Sequence, residues 1–147
     1  MVIRELKADS IEEVFLIINE SENHIALPNY YTISSIIQLY GSISYAVLED
    51  DKIVGVSLNC PLIDSNGIFV YLFLIDVNYQ RKGLGTNFFI DMCQRLLLKG
   101  YYKICLRVLK KNQAALTFWN EMGFCKSGAI FNESDEQYSE YFLEKRL

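Results

Sequence analysis

Residues 79–86 read YQRKGLGT and lie between an apolar run at 69–77, FVYLFLIDV, and the segment 87–100, NFFIDMCQRLLLKG. The run has the β-branched and aromatic content of a strand, and helical periodicity follows the glycines as far as Lys99. A glycine-containing turn at such a junction aims several backbone N–H groups in one direction, and the helix N-terminus adds roughly half a positive charge. Gly83 and Gly85 open the backbone to close approach, while Arg81 and Lys82 bring cations to the same place. The stretch reads as a cradle for a phosphate-like anion. Taken alone, a plain connection with glycines for turn geometry and cations for solubility accounts for it as well. Neither G-x-x-x-x-G-K-[ST] nor G-x-G-x-x-G is present, since TNF follows Gly85, which excludes two familiar phosphate loops.

Working outward, YKICLRVLK at 102–110 reads as a strand and NQAALTFWNEM at 112–122 as a helix ending at Gly123. The β-α-β-α order and the crossover length predict parallel pairing of 69–77 with 102–109. Upstream, VIRELK at 2–7 alternates as a first strand. Asp9 or Ser10 is expected to cap a helix over 11–21 whose Ile11, Val14, Phe15 and Ile18 share a face, with Glu12 and Glu13 in its first turn. A second helix is expected near 32–40, closed by Gly41 as a C-terminal cap. SYAVLED at 44–50 and KIVGVSLNCPL at 52–62 read as an antiparallel hairpin turning at Asp50 and Asp51, and 124–132 with 138–147 as a closing hairpin around ESDEQ. The expectation is a single α+β domain over 1–147, with one mixed sheet and helices on both faces.

Composition narrows the function. With 147 residues, 51% hydrophobic and 22% charged, the chain is long enough to bury a core without disulfides or metals. A net charge of -4 argues against a nucleic-acid partner, because neutralising phosphates needs a basic face. Cys60, Cys93, Cys105 and Cys125 are widely separated and form no C-x-x-C pair, so no zinc or redox motif is written and no metal is expected. The start MVIRELKADS has no cationic region followed by an apolar stretch, and no apolar run approaches membrane-crossing length. A reducing, cytoplasmic setting without a membrane partner is the expectation. His24, the single histidine, lies in a polar loop far from any motif and reads as surface or acceptor-side.

YQRKGLG, with Ile75-Asp76-Val77-Asn78 before it, resembles the signature [QR]-x-x-G-x-[GA] of the GNAT acetyltransferase superfamily. NQAALTFWNEMGF is similar to the helix N-x-x-A-x-x-[LF]-Y-x-x-x-G-F of the same family, with Asn112, Ala115, Phe118, Gly123 and Phe124 in register. The resemblance covers nearly the whole chain and implies a mostly antiparallel sheet with one splayed parallel pair. It implies acetyl-CoA as co-substrate: main chain at Phe73, Leu74 and Ile75 pairing with the pantetheine arm, and amides of Arg81, Lys82, Gly83, Leu84, Gly85 and Thr86 holding the pyrophosphate. Gln80 stands at the motif's first position, and Asn112 matches an asparagine that contacts the cofactor while also reading as a helix N-cap.

Two positions depart from the family. Trp119 replaces the tyrosine whose hydroxyl protonates the leaving thiolate, and indole N–H is no general acid near neutral pH. Arg107 stands where ribosomal-protein acetyltransferases carry glutamate. Asp76 reads as a turn residue, and Tyr71 is a candidate for holding a proton-relaying water, so no general acid or base is assigned. The implied function is acetyl transfer to a primary amine, with a small-molecule acceptor first and a peptide or ribosomal-protein-like N-terminus second. A CoA-binding module without transfer is the rival from another class. By resemblance the acceptor site is built by 20–31 and 132–138, where Glu133, Asp135, Glu136 and Tyr30, Tyr31, Tyr138 would meet a cation or form a solvated rim. Exposed tyrosines and a last strand of mixed character permit a homodimer.

Overall fold

The computed structural model describes residues 1–21, 28–63 and 65–147. Strand β1 (Val2–Glu5) is followed by helices α1 (Ile11–Asn19) and α2 (Tyr30–Tyr40), then strands β2 (Tyr45–Glu49), β3 (Lys52–Pro61) and β4 (Gly67–Ile75). Helix α3 (Leu84–Leu98), strand β5 (Lys103–Leu109), helix α4 (Gln113–Glu121) and strands β6 (Cys125–Ile130) and β7 (Glu140–Arg146) complete it. The strands form one sheet in the order β1-β2-β3-β4-β5-β7-β6. Among the described residues only β4 and β5 pair in parallel, as the crossover length predicted.

Helices pack on both faces of the sheet. On one, Val14, Ile18, Ile33 and Ile37 of α1 and α2 pack against Val56 and Leu58. On the other, Phe88, Phe89, Met92 and Leu96 of α3 and Trp119 of α4 pack against Ile68, Ile104 and Leu106. Fully burying a side chain of this kind contributes roughly 1.5–3 kcal/mol. On β5 the alternation sends Ile104, Leu106 and Val108 into the second core and leaves Arg107 exposed on the α1/α2 face.

The helix ends differ from the sequence expectation in three places. A 3-10 turn at Ala8–Ser10 leads straight into α1, and Ser10, buried and helical at φ -94°, makes no capping bond with its side chain. Ile17 rather than Phe15 completes the buried stripe of α1. Helix α2 starts at Tyr30, two residues early, because the Asn29 side chain accepts the Thr32 N–H at 2.9 Å. Gly41 is right-handed at φ -59°, so it is no left-handed cap; a Cβ there would lie 2.4 Å from the Leu6 carbonyl oxygen. Asp50 and Asp51 both adopt positive φ, 50° and 62°, the conformation a two-residue hairpin turn of the primed type needs.

What positions the site is an irregularity in β4. Leu58 pairs with Leu72 and Asn59 with Val70, which leaves Tyr71 as an extra residue on β4. Opposite this bulge Asn59 is fully buried. Its Oδ1 accepts from the Ser57 hydroxyl at 2.8 Å, its Nδ2 donates to the Ile43 carbonyl at 2.7 Å, and its N–H donates to Ser44 Oγ at 3.0 Å. A bulge bends its strand, and the parallel ladder stops just before it: Gly67↔Lys103, Ile68↔Ile104 and Phe69↔Cys105 pair, and nothing beyond. Strand β5 instead continues with β7 as far as Leu109↔Glu140.

Candidate active site

The diverging halves of β4 and β5 enclose a cleft of ≈ 350 Å³, walled by Tyr71 and Phe73 of β4, Arg107 of β5, Asn112 and Trp119 at α4, and Glu140 of β7. Phe73, Leu74 and Ile75 lie past the last parallel pair, so their backbone edge toward β5 has no strand partner. An extended chain can add to such an edge as another strand would.

At the end of β4 the chain enters the turn expected to bind an anion. Asp76 Oδ1 accepts the Asn78 N–H at 2.8 Å, which makes Asp76 the turn residue, and Tyr79 N–H donates to the Asp76 carbonyl at 2.8 Å. The Gln80 side chain donates to the Ile75 carbonyl at 2.7 Å and so braces the turn against the strand. Arg81 (φ 61°) and Gly83 (φ 78°) are both left-handed. For arginine this conformation costs roughly 1–2 kcal/mol. Among the described residues, the N–H groups of Arg81, Lys82, Gly83, Leu84, Gly85 and Thr86 have no backbone acceptor, and the first amide of the region to find one is Asn87, on the Gly83 carbonyl at 3.0 Å. Successive free amides at the start of a fifteen-residue helix are the arrangement that can accept an anion. The two glycines serve it differently. Gly83 supplies the backbone angle with open space around it; a Cβ on Gly85 would face inward, 3.5 Å from Ile75 Cγ1 and 3.8 Å from the Phe118 ring.

Asn112 caps α4, its Oδ1 accepting the Ala115 N–H at 3.1 Å, and sits on the cleft wall as well. Trp119 is 6% exposed and packs edge-on to Phe73 (5.2 Å), Phe89 (5.2 Å) and Phe124 (5.2 Å), and to Phe118 at 4.7 Å. The indole is both core and cleft wall.

On the acceptor side the sequence-marked residues scatter. Residues 22–27, His24 among them, lie outside the described residues. Tyr30 donates to Glu12 at 2.6 Å, and Tyr31 is 80% exposed. Asp135 turns inward to its own loop, accepting from the Gln137 N–H at 3.2 Å and from its side-chain amide at 2.5 Å. Asn132 likewise accepts the N–H groups of Ser134 and Asp135. Part of the acidic loop is therefore occupied with holding its own shape. Glu140 was not marked by the sequence reading, although it is a charged group on the cleft wall. Its Oε2 lies 3.4 Å from Arg107 Nε, and the Arg107 guanidinium sits 5.8 Å from the Phe69 ring. Only the register of β5 on β7 reveals the pair: Leu109 opposes Glu140, so Arg107 is its diagonal neighbour on one face. Burial pushes the Cys93 thiol up to about 12 and raises Cys60 and Cys105 as well, so these thiols are poor nucleophiles.

The model of the acetyltransferase (GNAT) family matches residues 11–124, well over half of the chain. The chain belongs to the GNAT acetyltransferase family. Its solved structural relatives carry the same architecture. The ribosomal-protein-S18-alanine N-acetyltransferase of Escherichia coli superposes with a TM-score of 0.85 at 17% identity, over 99% of this chain and 92% of that one. Ard1 of Thermoplasma volcanium gives 0.86 at 18%, over 99% and 97%. The PaiA N-acetyltransferase of Thermoplasma acidophilum, solved in complex with coenzyme A, gives 0.72 at 17%, over 99% and 98%. This GNAT domain is an acyltransferase, and no helix among its described residues is long and apolar enough to cross a membrane.

Proposed function

We propose that the GNAT domain transfers the acetyl group of acetyl-CoA to a primary amine. One observation carries the reading: a strand edge without a partner, at Phe73, Leu74 and Ile75, runs directly into a cationic turn whose amides are free. That arrangement suits a substrate with an amide-rich arm and a pyrophosphate, which is what CoA offers. Gln80 braces the turn against β4, Asn112 stands on the cleft wall, and the backbone N–H near Ile75 polarises the thioester carbonyl.

Transfer then needs an amine held in line with the thioester carbon and a route for its proton. Trp119 supplies no acid, yet a thiol with an ordinary pKa of about 8.5 leaves as thiolate without full protonation.

The sequence reading placed a small amine ahead of a peptide amine. A peptide α-amine is favoured by the site's surroundings: α1 and α2 pack over β3, whereas the same face of β5, β7 and β6 carries half-exposed or exposed side chains such as Arg107, Glu140 and Ile130 beside the cleft mouth. The likeness in fold to an enzyme named for a ribosomal-protein alanine points the same way. The test is release of free CoA thiol from acetyl-CoA with polyamines, amino acids and short peptides, each against an amine-free blank. Turnover above the blank with peptides and not with polyamines is expected; binding of acetyl-CoA without turnover on any acceptor would replace the enzyme reading with that of a CoA-binding module.

A further inference from the structure

Building on the acetyl-transfer reading, we infer that Glu140 is the group that takes the proton of the acceptor ammonium, with Arg107 as the positioning residue that holds its carboxylate toward the cleft.

The need comes from the amine. An α-amine with a pKa near 7.7 is about one-sixth neutral at pH 7, and an alkylamine near 10.4 only about one part in a few thousand. Only the neutral form has the lone pair that attacks. A base must therefore stand on the side from which the acceptor arrives.

Of the side chains on the cleft wall, Glu140 is the one carboxylate among the described residues. The groups facing it are few. From β5 comes Arg107, from β4 the phenol of Tyr71, which is 40% exposed, and from α4 the uncharged Asn112 and Trp119; β6 sets Ile130 opposite, and along β7 the next carboxylate on the same face, Glu144, is 4.0 Å from Lys103. Stability offers little reason for the Arg107–Glu140 pair. The side chains are 44% and 28% exposed, in the range where ion pairs contribute little. Register gives a better one. Glu140 stands on the strand paired with β5, diagonal to Arg107 on the same face, and lines the cleft with it. Arg107, held over Phe69, fixes the direction of that carboxylate.

The step balances without further reagents. The ammonium gives one proton to the Glu140 carboxylate, which passes it to solvent. The neutral nitrogen attacks the thioester carbon, a C–N bond forms as the C–S bond breaks, and the thiolate leaves and collects the second proton from the nitrogen.

The experiment follows thiol release from acetyl-CoA with short peptides beginning in alanine, serine or methionine and, separately, spermidine, for wild type, Glu140→Gln, Arg107→Gln and Arg107→Lys across neutral to alkaline pH. Glu140→Gln is expected to lower kcat/KM about a hundredfold or more near pH 7, in the range a lost general base costs. That loss shrinks as pH rises through the peptide α-amine's own pKa of about 7.7. Acetyl-CoA affinity by calorimetry and the thermal midpoint stay at wild-type values. Arg107→Gln loses less, with Arg107→Lys restoring part of it. A Glu140→Gln rate within threefold of wild type at every pH, or a loss that does not change with pH, overturns the inference and leaves acetyl transfer standing. Acetyl-CoA binding with no wild-type transfer to any probe overturns the transfer reading itself, and the proton-acceptor role with it.

Discussion

The turn at 80–86, which follows β4, and the face shared by β5 and β7, which walls the cleft, are built by opposite means. In the proposed reading the turn works through main chain: its free amides are contiguous in sequence, and what matters about the side chains is mostly that they stay away. The β5–β7 face works through side chains on two strands more than thirty positions apart, brought together only by strand register. The first kind of site tolerates little change in backbone geometry and much change in side-chain chemistry. The second is the reverse.

Trp119 belongs to the cleft wall and the core at once, so the largest stability effect is expected there. Trp119→Ala removes a ring packed against four others and should cost about 3–5 kcal/mol in denaturant unfolding. Trp119→Tyr keeps a ring and should cost less than half of that; equal losses would mean that the surrounding rings close over the gap. Next comes the turn. Gly85→Glu directs a carboxylate between Ile75 and Phe118 at the start of α3, and should weaken acetyl-CoA binding in calorimetry by more than about a hundredfold, roughly 3 kcal/mol. Unchanged affinity would move the cofactor site elsewhere. Gly83→Ala isolates the backbone angle, because a Cβ there meets nothing within 4 Å yet φ is 78°. A stability loss of about 1–2 kcal/mol is expected from the left-handed angle alone.

The same contrast explains what the sequence disclosed. The turn's place was legible because it is written in consecutive residues, with its glycines and cations between a strand and a helix where the family's signature has them. The parallel pairing was legible because a helical crossover leaves little choice. The bulge at Tyr71 was not, since nothing in FVYLFLIDV distinguishes an extra residue from a paired one until Asn59 is seen buried opposite it. Glu140 was hidden for the same reason. In YSEYFLEKRL it is one of four charged residues, and it acquires a partner only when β7 is set in register on β5. Gly41 was legible as the residue that ends α2, but its reason for being glycine was not, because a close approach to the Leu6 carbonyl, distant in sequence, leaves no local mark.

The smallest effect is expected at the loop that looked most like an acceptor site. ESDEQ has three carboxylates in five residues, and charge alone would assign it to an ammonium. The fold turns the Asp135 carboxylate back onto Gln137, and Asn132 braces the turn, so the loop's polar groups mainly satisfy one another. Neutralising Glu133 and Glu136 together to glutamine should then change kcat/KM by less than about threefold at physiological salt, where exposed charges are screened over ~8 Å. Any change that does appear should grow as salt is lowered, the mark of steering rather than contact. A loss of tenfold or more that persists at high salt would place the acceptor ammonium on this loop. Glu140 would then be left to hold Arg107, and the division of the cleft into a main-chain end and a two-strand side-chain end would have to be redrawn.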